Sequence, residues 1–312
     1  MKVLKEYLIG TGGWAYFQIP RMNPLAAYSR AFNFVEVNTT FYEIPKTEEV
    51  EKWRQLVPID FQFSVRAHRS ITHKNKLAPV AETFETFEKM RQVCNTLKAE
   101  ILHLQTPPSL KITHETIANL RNLIGSVNIG KLRLALEIRS THQLPLETVR
   151  FMQENGIVHC VDLSKGEEPA YESDILYTRL FGKGKHNIYQ PTDEELAEID
   201  KRILFSKATK ASASIHFLKM YKDAARLKVF KRTGKFPPIT KSTGLTSLEE
   251  VLSEDARFPS SKHELIENQG WKLFDQTQEE RIHTADVLQK LPEKNYKSIA
   301  DVISTLKPIM ET

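Results

Sequence analysis

Short apolar runs recur along the first 220 residues of the chain, and longer amphipathic segments separate them. The runs have the length and composition of buried strands, and the segments between them carry apolar side chains at helical spacing. Eight such runs lie at residues 7–11, 34–38, 61–67, 100–105, 132–138, 156–162, 175–181 and 212–218. Strands that alternate with helices indicate βα units and a parallel sheet. Eight units over about 240 residues predict an α/β fold, a TIM (β/α)8 barrel.

A doubly wound open sheet is the alternative arrangement of the same units. It would favour a glycine-rich phosphate loop directly after the first strand. The residues at that position, Gly10 to Trp14, read GTGGW, which does not fit GxGxxG, and no clear helix follows them. The barrel is therefore the preferred prediction.

The pattern changes after Gly244, where acidic helical segments replace the alternation of strands and helices. We predict three parts: a barrel over residues 1–232, a linker rich in Gly, Pro, Ser and Thr over 233–245, and a small acidic helical module over 246–312. Within the module, the pattern predicts helices at 246–254 and 262–306.

The chain has no run of 18 apolar residues, and its N-terminal residues lack the apolar core of a signal peptide. We therefore expect a cytoplasmic protein with no membrane partner. Cys94 and Cys160 have no CxxC spacing. This indicates two inert core residues, and it supports neither a disulfide scaffold nor a zinc knuckle.

The net charge of +5 hides an asymmetry along the chain. Residues 246–312 hold 8 basic and 13 acidic residues, whereas residues 201–241 hold twelve basic residues and one acid, Asp223. A basic body favours anionic partners such as DNA, RNA or phosphorylated metabolites. The alternative is a lysine-rich helix face that is simply solvated.

Polar side chains gather at the carboxyl ends of the predicted strands, where barrels of this class carry their working residues. Glu36 is the most notable, because a carboxylate inside an apolar strand is costly unless it is paired or functional. The ring comprises Thr11, Glu36, Asn38, Ser64, Arg66, His68, His103, Gln105, Glu137, Arg139, Asp162, Arg179, His216 and Lys219.

Two chemistries suit this set of side chains. In the first, Glu36 and Glu137, with Asp162 behind them, transfer protons, and His68 is a further acid–base candidate beside His73. Arginine forks then hold an anionic group, and two lysines on a glycine-spaced loop bind a phosphate. These cations are Arg66, Arg139, Arg179, Lys183 and Lys185. In the second, the charges are structural ion pairs, for example Glu137 with Arg139 or Arg179.

Aromatic residues lie in predicted loops at the same end of the barrel. Trp14 and Tyr42, with Tyr16 and Phe41, are placed to stack on a base or a sugar, although ordinary loop packing is the alternative. Glu36, Glu137, Asp162 and His216 offer oxygen and nitrogen atoms to a divalent metal. No HxH or HExxH spacing supports this, so no metal ligand is assigned and no organic cofactor is expected.

Six blocks of the chain resemble the signature blocks of the YecE-like family, domain of unknown function 72, in order over residues 7 to about 232. They are GTGGW (10–14), FVEVNTTFYEIP (34–45), FQFSVRAHRSITH (61–73), LHLQTPPSL (102–110), LALEIRS (134–140) and TRLFGKG (178–184). The resemblance implies a TIM-type barrel and no established activity. Similarity of that fold to endonuclease-IV-like and sugar-isomerase barrels suggests DNA binding by analogy.

The resemblance also implies functional positions, to which the substrate-binding candidates Asn38 and Gln105 belong. The matching residues are Glu36, Asn38, Arg66, Gln105, Glu137, Arg139, Asp162 and Arg179. Three positions depart from the family pattern: Arg66 stands where lysine is frequent, Phe181 replaces a histidine, and Phe217-Leu218-Lys219 replaces a Phe-Asn-Asn run. In the tail, residues 258–271 and 291–306 are similar to domain of unknown function 2795, which implies no activity.

These observations predict an enzyme that acts on a phosphate-bearing substrate. The preferred reaction is hydrolysis of a phosphodiester or glycosidic bond in nucleic acid, with arginines stabilising negative charge. One alternative is an isomerase, epimerase or lyase on a small sugar phosphate or carboxylate. Another is a nucleic-acid-binding protein without catalytic activity.

Overall fold

The computed structural model describes residues 4–141 and 143–310. The chain divides into two compact units, which we call the barrel unit and the tail unit. The barrel unit runs to Leu180 and includes Arg202–His216, and the tail unit comprises Phe181–Lys201 and the chain from Phe217. The division into a barrel, a linker at residues 233–245 and a module, which the sequence composition predicts, stays a prediction. The first residues of the predicted barrel, 1–3, and the last residues of the predicted module, 311–312, lie outside the described ranges.

Eight parallel strands form the sheet of the barrel unit, in the order β6-β5-β4-β3-β2-β1-β8-β7. Their bounds are β1 Glu6–Thr11, β2 Phe34–Val37, β3 Gln62–Arg66, β4 Ile101–Gln105, β5 Arg133–Glu137, β6 Val158–His159, β7 Ile175–Leu180 and β8 Lys210–Ile215. A parallel bridge between Val161 and Thr178 joins the segments at the two edges of this order. The TIM-type α/β barrel predicted from the eight apolar runs is therefore confirmed.

Helices follow seven of the eight strands. They are α1 Pro24–Ala31, α2 Thr47–Gln55, α3 Ala81–Leu97, α4 His114–Ser126, α5 Leu146–Glu154, α6 Asp193–Phe205 and α7 Met220–Thr233. The connection from β6 to β7, residues 160–174, is described throughout and contains only a 3-10 turn, Leu163–Lys165. The sixth βα unit thus lacks its α-helix. A π-helical turn, Ser70–Lys74, follows β3.

The alternation of side chains along each strand arranges the barrel interior in layers. The lowest layer is apolar and includes Phe34, Ile101, Ala135 and Ile175. Two residues further along the same strands lie Glu36, His103, Glu137 and Tyr177. Polar side chains therefore enter the barrel on top of an apolar base, at the carboxyl end of the sheet.

Both cysteines are buried and free, Cys94 on α3 and Cys160 among the interior side chains of the barrel. Burial raises the pKa of each thiol, which keeps it protonated and unreactive. Among the described residues, no helix is long and apolar enough to cross a membrane.

The C-terminal segment of the tail unit mixes short strands with helices. Its elements are α8 Gly244–Leu252, β9 Ser260–Ser261, α9 Lys262–Gln269, β10 Leu273–Asp275, β11 Arg281–His283, α10 Thr284–Leu288, β12 Asn295–Tyr296 and α11 Ile299–Met310. Antiparallel pairs β10–β11 and β9–β12 interrupt the region expected to be helical over 262–306, so that part of the prediction is wrong. The reason is tertiary: Leu273 and Phe274 are buried in strand conformation, and Phe274 joins the core of this segment.

Candidate functional site

Arg179 on β7 is the centre of a polar cluster at the carboxyl end of the barrel. Its side chain is only 2% exposed, and its Nε and Nη2 each donate a 2.9 Å hydrogen bond to Glu36 on β2, one to each carboxylate oxygen. The hydroxyl of Tyr177 donates to the same carboxylate at 2.5 Å. Glu36 is thus a fully buried carboxylate whose charge is compensated by a bidentate guanidinium.

Glu137 on β5 is the second acceptor for Arg179. Its Oε2 accepts from Nη1 of Arg179 at 2.7 Å, and His103 Nε2 lies 3.1 Å from the same oxygen. Its Oε1 accepts from Gln105 Nε2 at 2.8 Å and from Arg139 Nε at 2.6 Å. The Glu137 side chain is 12% exposed, and that of Arg139 is 38% exposed. Glu137 therefore lies between the buried Arg179 and the solvent.

Arg66 on β3 brings a third guanidinium group into the cluster. It lies over the ring of Phe41, 3.7 Å from the centroid, and donates to the side-chain oxygens of Asn38, at 3.3 Å, and Gln105. Asn38 in turn donates to the carbonyl of Gly12 at 2.8 Å. The structure thus brings seven sequence-predicted residues into one contact network: Glu36, Asn38, Arg66, Gln105, Glu137, Arg139 and Arg179.

The charges of the network are set by burial and by Arg179. Burial alone raises the pKa of Glu36 and of Glu137, but the Arg179 guanidinium outweighs it and holds both pKa values well below their usual range. Burial lowers the pKa of Arg66 to about 10, and repulsion from Arg179 adds to this. Both carboxylates are consequently ionised at neutral pH, and Arg66 and Arg179 carry their charge.

The two histidines inside the barrel are neutral at pH 7. Burial and the nearby Arg179 lower the pKa of His103 to about 4 and lower that of His216 as well. His216 Nε2 lies 3.4 Å from Glu36 and 3.0 Å from the Ser214 hydroxyl. The network therefore holds three positive and two negative charges, and no imidazole charge adds to them.

The loop after β3 places two further histidines near the cluster. His68 is held at both nitrogens, by the Ser70 hydroxyl at 2.9 Å and by the Tyr42 carbonyl at 3.3 Å, so it anchors the loop that carries Tyr42. His73 lies in the π-helical turn, and its ring meets Phe41 edge-on at 4.9 Å. Arg66 lies over the same Phe41 ring. Burial, then Arg66 and Arg139, lower the pKa of His73, which is therefore neutral at pH 7.

Other predicted site residues have local contacts of their own. Asp162 caps the 3-10 turn of the sixth unit by accepting from Ser164 N at 3.0 Å, and Lys165 lies 3.6 Å from it. Trp14 packs edge-on against Trp53 at 5.2 Å, which matches ordinary loop packing. Tyr42 is 65% exposed.

Lys183 and Lys185 belong to the tail unit. Lys183 forms an exposed ion pair of 2.7 Å with Glu195, which occupies its charge within that unit. Lys185 is exposed in a short 3-10 turn, Lys185–Asn187. Their expected contact with a phosphate stays a prediction.

Much of the basic stretch at residues 201–241 is paired with acids. In the barrel unit Arg202 pairs with Glu168 and Lys207 with Glu172. In the tail unit Glu254 accepts from Lys219 and Lys222, and the pKa of Glu254 falls to about 2 because these contacts outweigh its burial. Arg226 pairs with Asp193 and Asp223. The run of like charges in the sequence is therefore largely compensated in the fold.

The residues expected to hold a metal do not converge as a ligand set in the described part of the chain. The one group of suitable ligand atoms there is His103, Glu137 and Cys160, within 4.8 Å of one another. The Glu137 carboxylate of that group already accepts from Arg179 at 2.7 Å. A guanidinium cation in contact with a ligand oxygen repels a dication there, so the donor set does not fit a divalent metal.

Tyr177 is the functional-site residue that sequence reasoning missed. It joins the Glu36 carboxylate to the Ser64 hydroxyl, which lies 2.8 Å from the Tyr177 oxygen. Its signal was present in the strand period: Tyr177 precedes Arg179 by two residues and so faces the same side. Because most residues of ILYTRLF are apolar, the pattern predicts a buried strand and gives Tyr177 no polar role.

The fold and this network define an α/β-barrel protein with a buried carboxylate–guanidinium cluster at the carboxyl end of its strands. The profile of the family described as "Protein of unknown function DUF72" matches residues 8–230. The chain belongs to this DUF72 family, which confirms the family resemblance of its barrel region. The similarity of the tail to domain of unknown function 2795 stays a prediction.

Two curated relatives share part of their sequence with this chain. UPF0759 protein YunF of Bacillus subtilis (strain 168) is 29% identical over 184 residues, which is 54% of this chain and 64% of YunF. UPF0759 protein YecE of Escherichia coli (strain K12) is 38% identical over 71 residues, 22% of this chain and 26% of YecE. The chain thus matches less than two thirds of the length of each relative.

Two solved structures share the fold. A DUF72 family protein (EF0366) from Enterococcus faecalis V583 has a TM-score of 0.59 at 20% identity, covering 73% of this chain and 98% of that one. A DUF72 family protein (TM1631) from Thermotoga maritima MSB8 has a TM-score of 0.58 at 21% identity, covering 73% and 99%. At these identities the likeness establishes the barrel and nothing about activity.

Proposed function

We propose that the carboxyl end of the barrel binds a monoanionic group, and that the protein hydrolyses a phosphodiester or glycosidic bond in nucleic acid. The charge of the cluster carries the proposal. The guanidinium groups of Arg66, Arg139 and Arg179 converge at this end of the barrel, while His103 and His216 are neutral. Guanidinium groups bind phosphate oxygens with paired hydrogen bonds, so a cluster of three suits a phosphate group. A backbone phosphodiester is a phosphate group with one negative charge.

Nucleic acid is favoured over a small sugar phosphate by the aromatic side chain at the rim. Tyr42 is 65% exposed, although it packs edge-on against Phe41 at 5.0 Å. Phe41 is also the ring beneath Arg66. Tyr42 and Arg66 thus contact the same Phe41 ring. This arrangement suits a nucleotide, whose base stacks on the tyrosine while the guanidinium binds its phosphate.

The carboxylates have a holding role in this proposal. Glu36 is 0% exposed and accepts from Arg179 and Tyr177, and Glu137 accepts from three donors. Such saturated carboxylates have little affinity for a proton. Glu36 and Glu137 position the arginines, whereas His68 is held at both nitrogens and positions Tyr42.

His73 is the proton acceptor that the geometry favours. It is neutral at pH 7, half-buried and packed on the ring that Arg66 covers. In phosphodiester hydrolysis it would take a proton from water as the new P–O bond forms, the opposite P–O bond breaks, and the leaving oxygen takes a proton from solvent. The arginines would stabilise the charge on the phosphoryl oxygens.

Binding is tested first, with a fluorescein-labelled single-stranded DNA oligonucleotide and fluorescence anisotropy over a salt series. We expect affinity to fall steeply with salt, and Arg139→Gln to weaken it by about tenfold. Arg91→Gln is the matched control, because Arg91 is an arginine of the barrel unit paired with Glu88 on α3. Equal affinities for Arg139→Gln and wild type would remove the anion site at Arg139.

Catalysis is tested separately by incubating single-stranded and abasic duplex DNA with and without EDTA. We expect cleavage that His73→Gln reduces at least about a hundredfold while DNA affinity is unchanged. Salt-dependent binding without cleavage would identify a binding protein instead. Binding of glucose 6-phosphate but not DNA would favour the isomerase class.

A further inference from the structure

A cavity lies in the barrel unit, beside the connection that lacks its α-helix. Its volume is about 560 Å³, within the range of ligand pockets in proteins. His159 at the end of β6, Leu176 on β7, Leu163 and Tyr171 of the connection, and Phe205 at the end of α6 line it. The missing helix leaves this space uncovered between the two strands and α6.

The cavity is separate from the arginine cluster. Its wall includes Ile175, the first residue of β7, and Ala208, which precedes β8. The cluster instead uses Arg179, near the carboxyl end of β7. Leu176 is adjacent in sequence to the interior residues Ile175 and Tyr177, so its side chain faces out of the barrel. No residue lining the cavity belongs to the cluster.

The wall contains the Tyr171 hydroxyl, a buried polar atom without a hydrogen-bond partner among the described residues, and the ring of His159. His159 is 9% exposed, and its Nδ1 accepts a 2.9 Å hydrogen bond from the backbone N–H of Ala170. Burial lowers the pKa of His159 to about 4, so the ring is neutral and its proton is on Nε2. That Nε2–H has no hydrogen-bond acceptor among residues 4–141 and 143–310. A buried hydroxyl without a partner, as at Tyr171, is unusual in a folded protein.

The charges around the cavity are fully paired with one another. Arg202 donates to Glu168 and to the Leu163 carbonyl, and Lys207 lies 2.7 Å from Glu172. These are the charged residues of the wall. Phe205 is apolar and yet 75% exposed. The wall thus offers an apolar surface and two polar groups, the Tyr171 hydroxyl and the His159 Nε2–H, without an excess charge to attract an ion.

We propose that this cavity binds a small neutral molecule that has an apolar ring or chain and a carbonyl or hydroxyl oxygen facing His159. The oxygen accepts from Nε2–H, and the apolar body covers the exposed face of Phe205. The site is independent of the anion site proposed above.

Acetophenone, a neutral ring with a carbonyl oxygen, is the probe, and benzoate is the charged comparison of similar size. Binding is followed by ligand-detected NMR and by the ¹⁵N shift of His159 Nε2 in histidine-labelled protein. We expect saturable binding of acetophenone, a shift at His159, and binding of benzoate that is weaker by about tenfold or more.

Two variants and one control locate the binding. Phe205→Ser removes the exposed apolar face of the cavity, and Ala170→Trp places a large side chain at the mouth of the cavity from an exposed position. Each variant is expected to weaken the binding of acetophenone by about fivefold or more. Leu146→Ser is the matched control, because Leu146 is equally exposed at 75% and does not line the cavity. Thermal melts verify that the variants fold.

Three results would overturn the proposal. The first is absence of saturable binding together with an unshifted His159, as expected of a cavity filled by water. The second is equal binding of acetophenone and benzoate that neither variant changes. The third is concentration-dependent self-association that Ala170→Trp abolishes, which would make a second copy of the chain the occupant.

Discussion

Arg179 and Glu36 are 143 positions apart in the chain and share two hydrogen bonds of 2.9 Å inside the barrel. In the sheet order, β1 and β8 separate their strands, β2 and β7. The contact therefore reaches over two intervening strands, and it is buried at both ends. The same guanidinium continues to Glu137 on β5 at 2.7 Å. One arginine thus connects three strands of the barrel and orders the residues proposed to bind an anion.

Removing one partner of this pair is expected to destabilise the barrel strongly. Glu36→Gln removes a buried carboxylate that compensates Arg179, and breaking such a buried pair costs about 3–5 kcal/mol. The measurement is the free energy of unfolding from urea denaturation. Asp174→Asn is the control, since Asp174 pairs with Arg133 at a partly exposed site where we expect less than about 1 kcal/mol. Similar losses in both variants would contradict a special role for the buried pair.

Gly12 is expected to be indispensable for the shape of the cluster. A Cβ atom there would lie 2.1 Å from His216 Cε1 and 2.8 Å from Asn38 Nδ2, so both side chains must move. We predict that Gly12→Ala destabilises the barrel by about 1–3 kcal/mol and weakens anion binding. Gly125→Ala is the matched control, because no atom lies within 4 Å of a Cβ at this position in α4. An unchanged DNA affinity in Gly12→Ala would show that His216 and Asn38 do not shape the site.

The alternation of side chains in the strands explains why so much of the cluster was predictable. Glu36, Glu137 and Arg179 are charged residues in apolar strands, and the barrel topology brings their strand ends together. Both interpretations of these residues, proton transfer and structural ion pairing, require their side chains to lie close together in this way. The hydrogen bonds that both carboxylates accept from Arg179 favour the role of holding arginines, and the role in proton transfer stays a prediction.

Other features depend on contacts that a sequence pattern does not contain. Residues 156–181 read as two strands with a connection, and nothing in their composition indicated that a 3-10 turn would replace the sixth helix. The charges of Lys219 and Lys222 suggested a basic face, but their partner Glu254 lies about thirty residues away in sequence. Pairing at such separation is set by tertiary packing.

The pH dependence of stability is expected to depend in part on His159. Burial lowers its pKa from 6.5 to about 4, so the unfolded chain binds its proton more tightly than the folded barrel does. This contribution to stability is complete above pH 6.5 and is lost as the pH falls toward 4, an effect of about 2–3 kcal/mol. Urea denaturation at pH 7.5 and pH 4.5 measures it.

His159→Asn removes this titration while its side-chain oxygen can still accept from Ala170 N. We expect the stability difference between wild type and this variant to shrink by about 2 kcal/mol from pH 7.5 to pH 4.5. His114→Asn is the control at a position that is 90% exposed. A pH-independent difference in His159→Asn would mean that His159 is not buried as a neutral ring.

Arg66 is expected to show a conflict between stability and binding. Burial and the neighbouring Arg179 lower its pKa to about 10, so its charge is unfavourable in the free barrel and favourable once an anion is bound. We predict that Arg66→Met changes the stability of the free protein by less than about 1 kcal/mol, because the relieved repulsion offsets the lost contacts with Asn38, Gln105 and Phe41. The same variant should lose the stabilisation that a 5′-phosphorylated dinucleotide gives to wild type.

Thermal melts with and without the dinucleotide measure both effects, with Arg91→Met as the control. If Arg66→Met kept the full ligand-induced shift in Tm, Arg66 would be a structural residue and the anion would bind elsewhere.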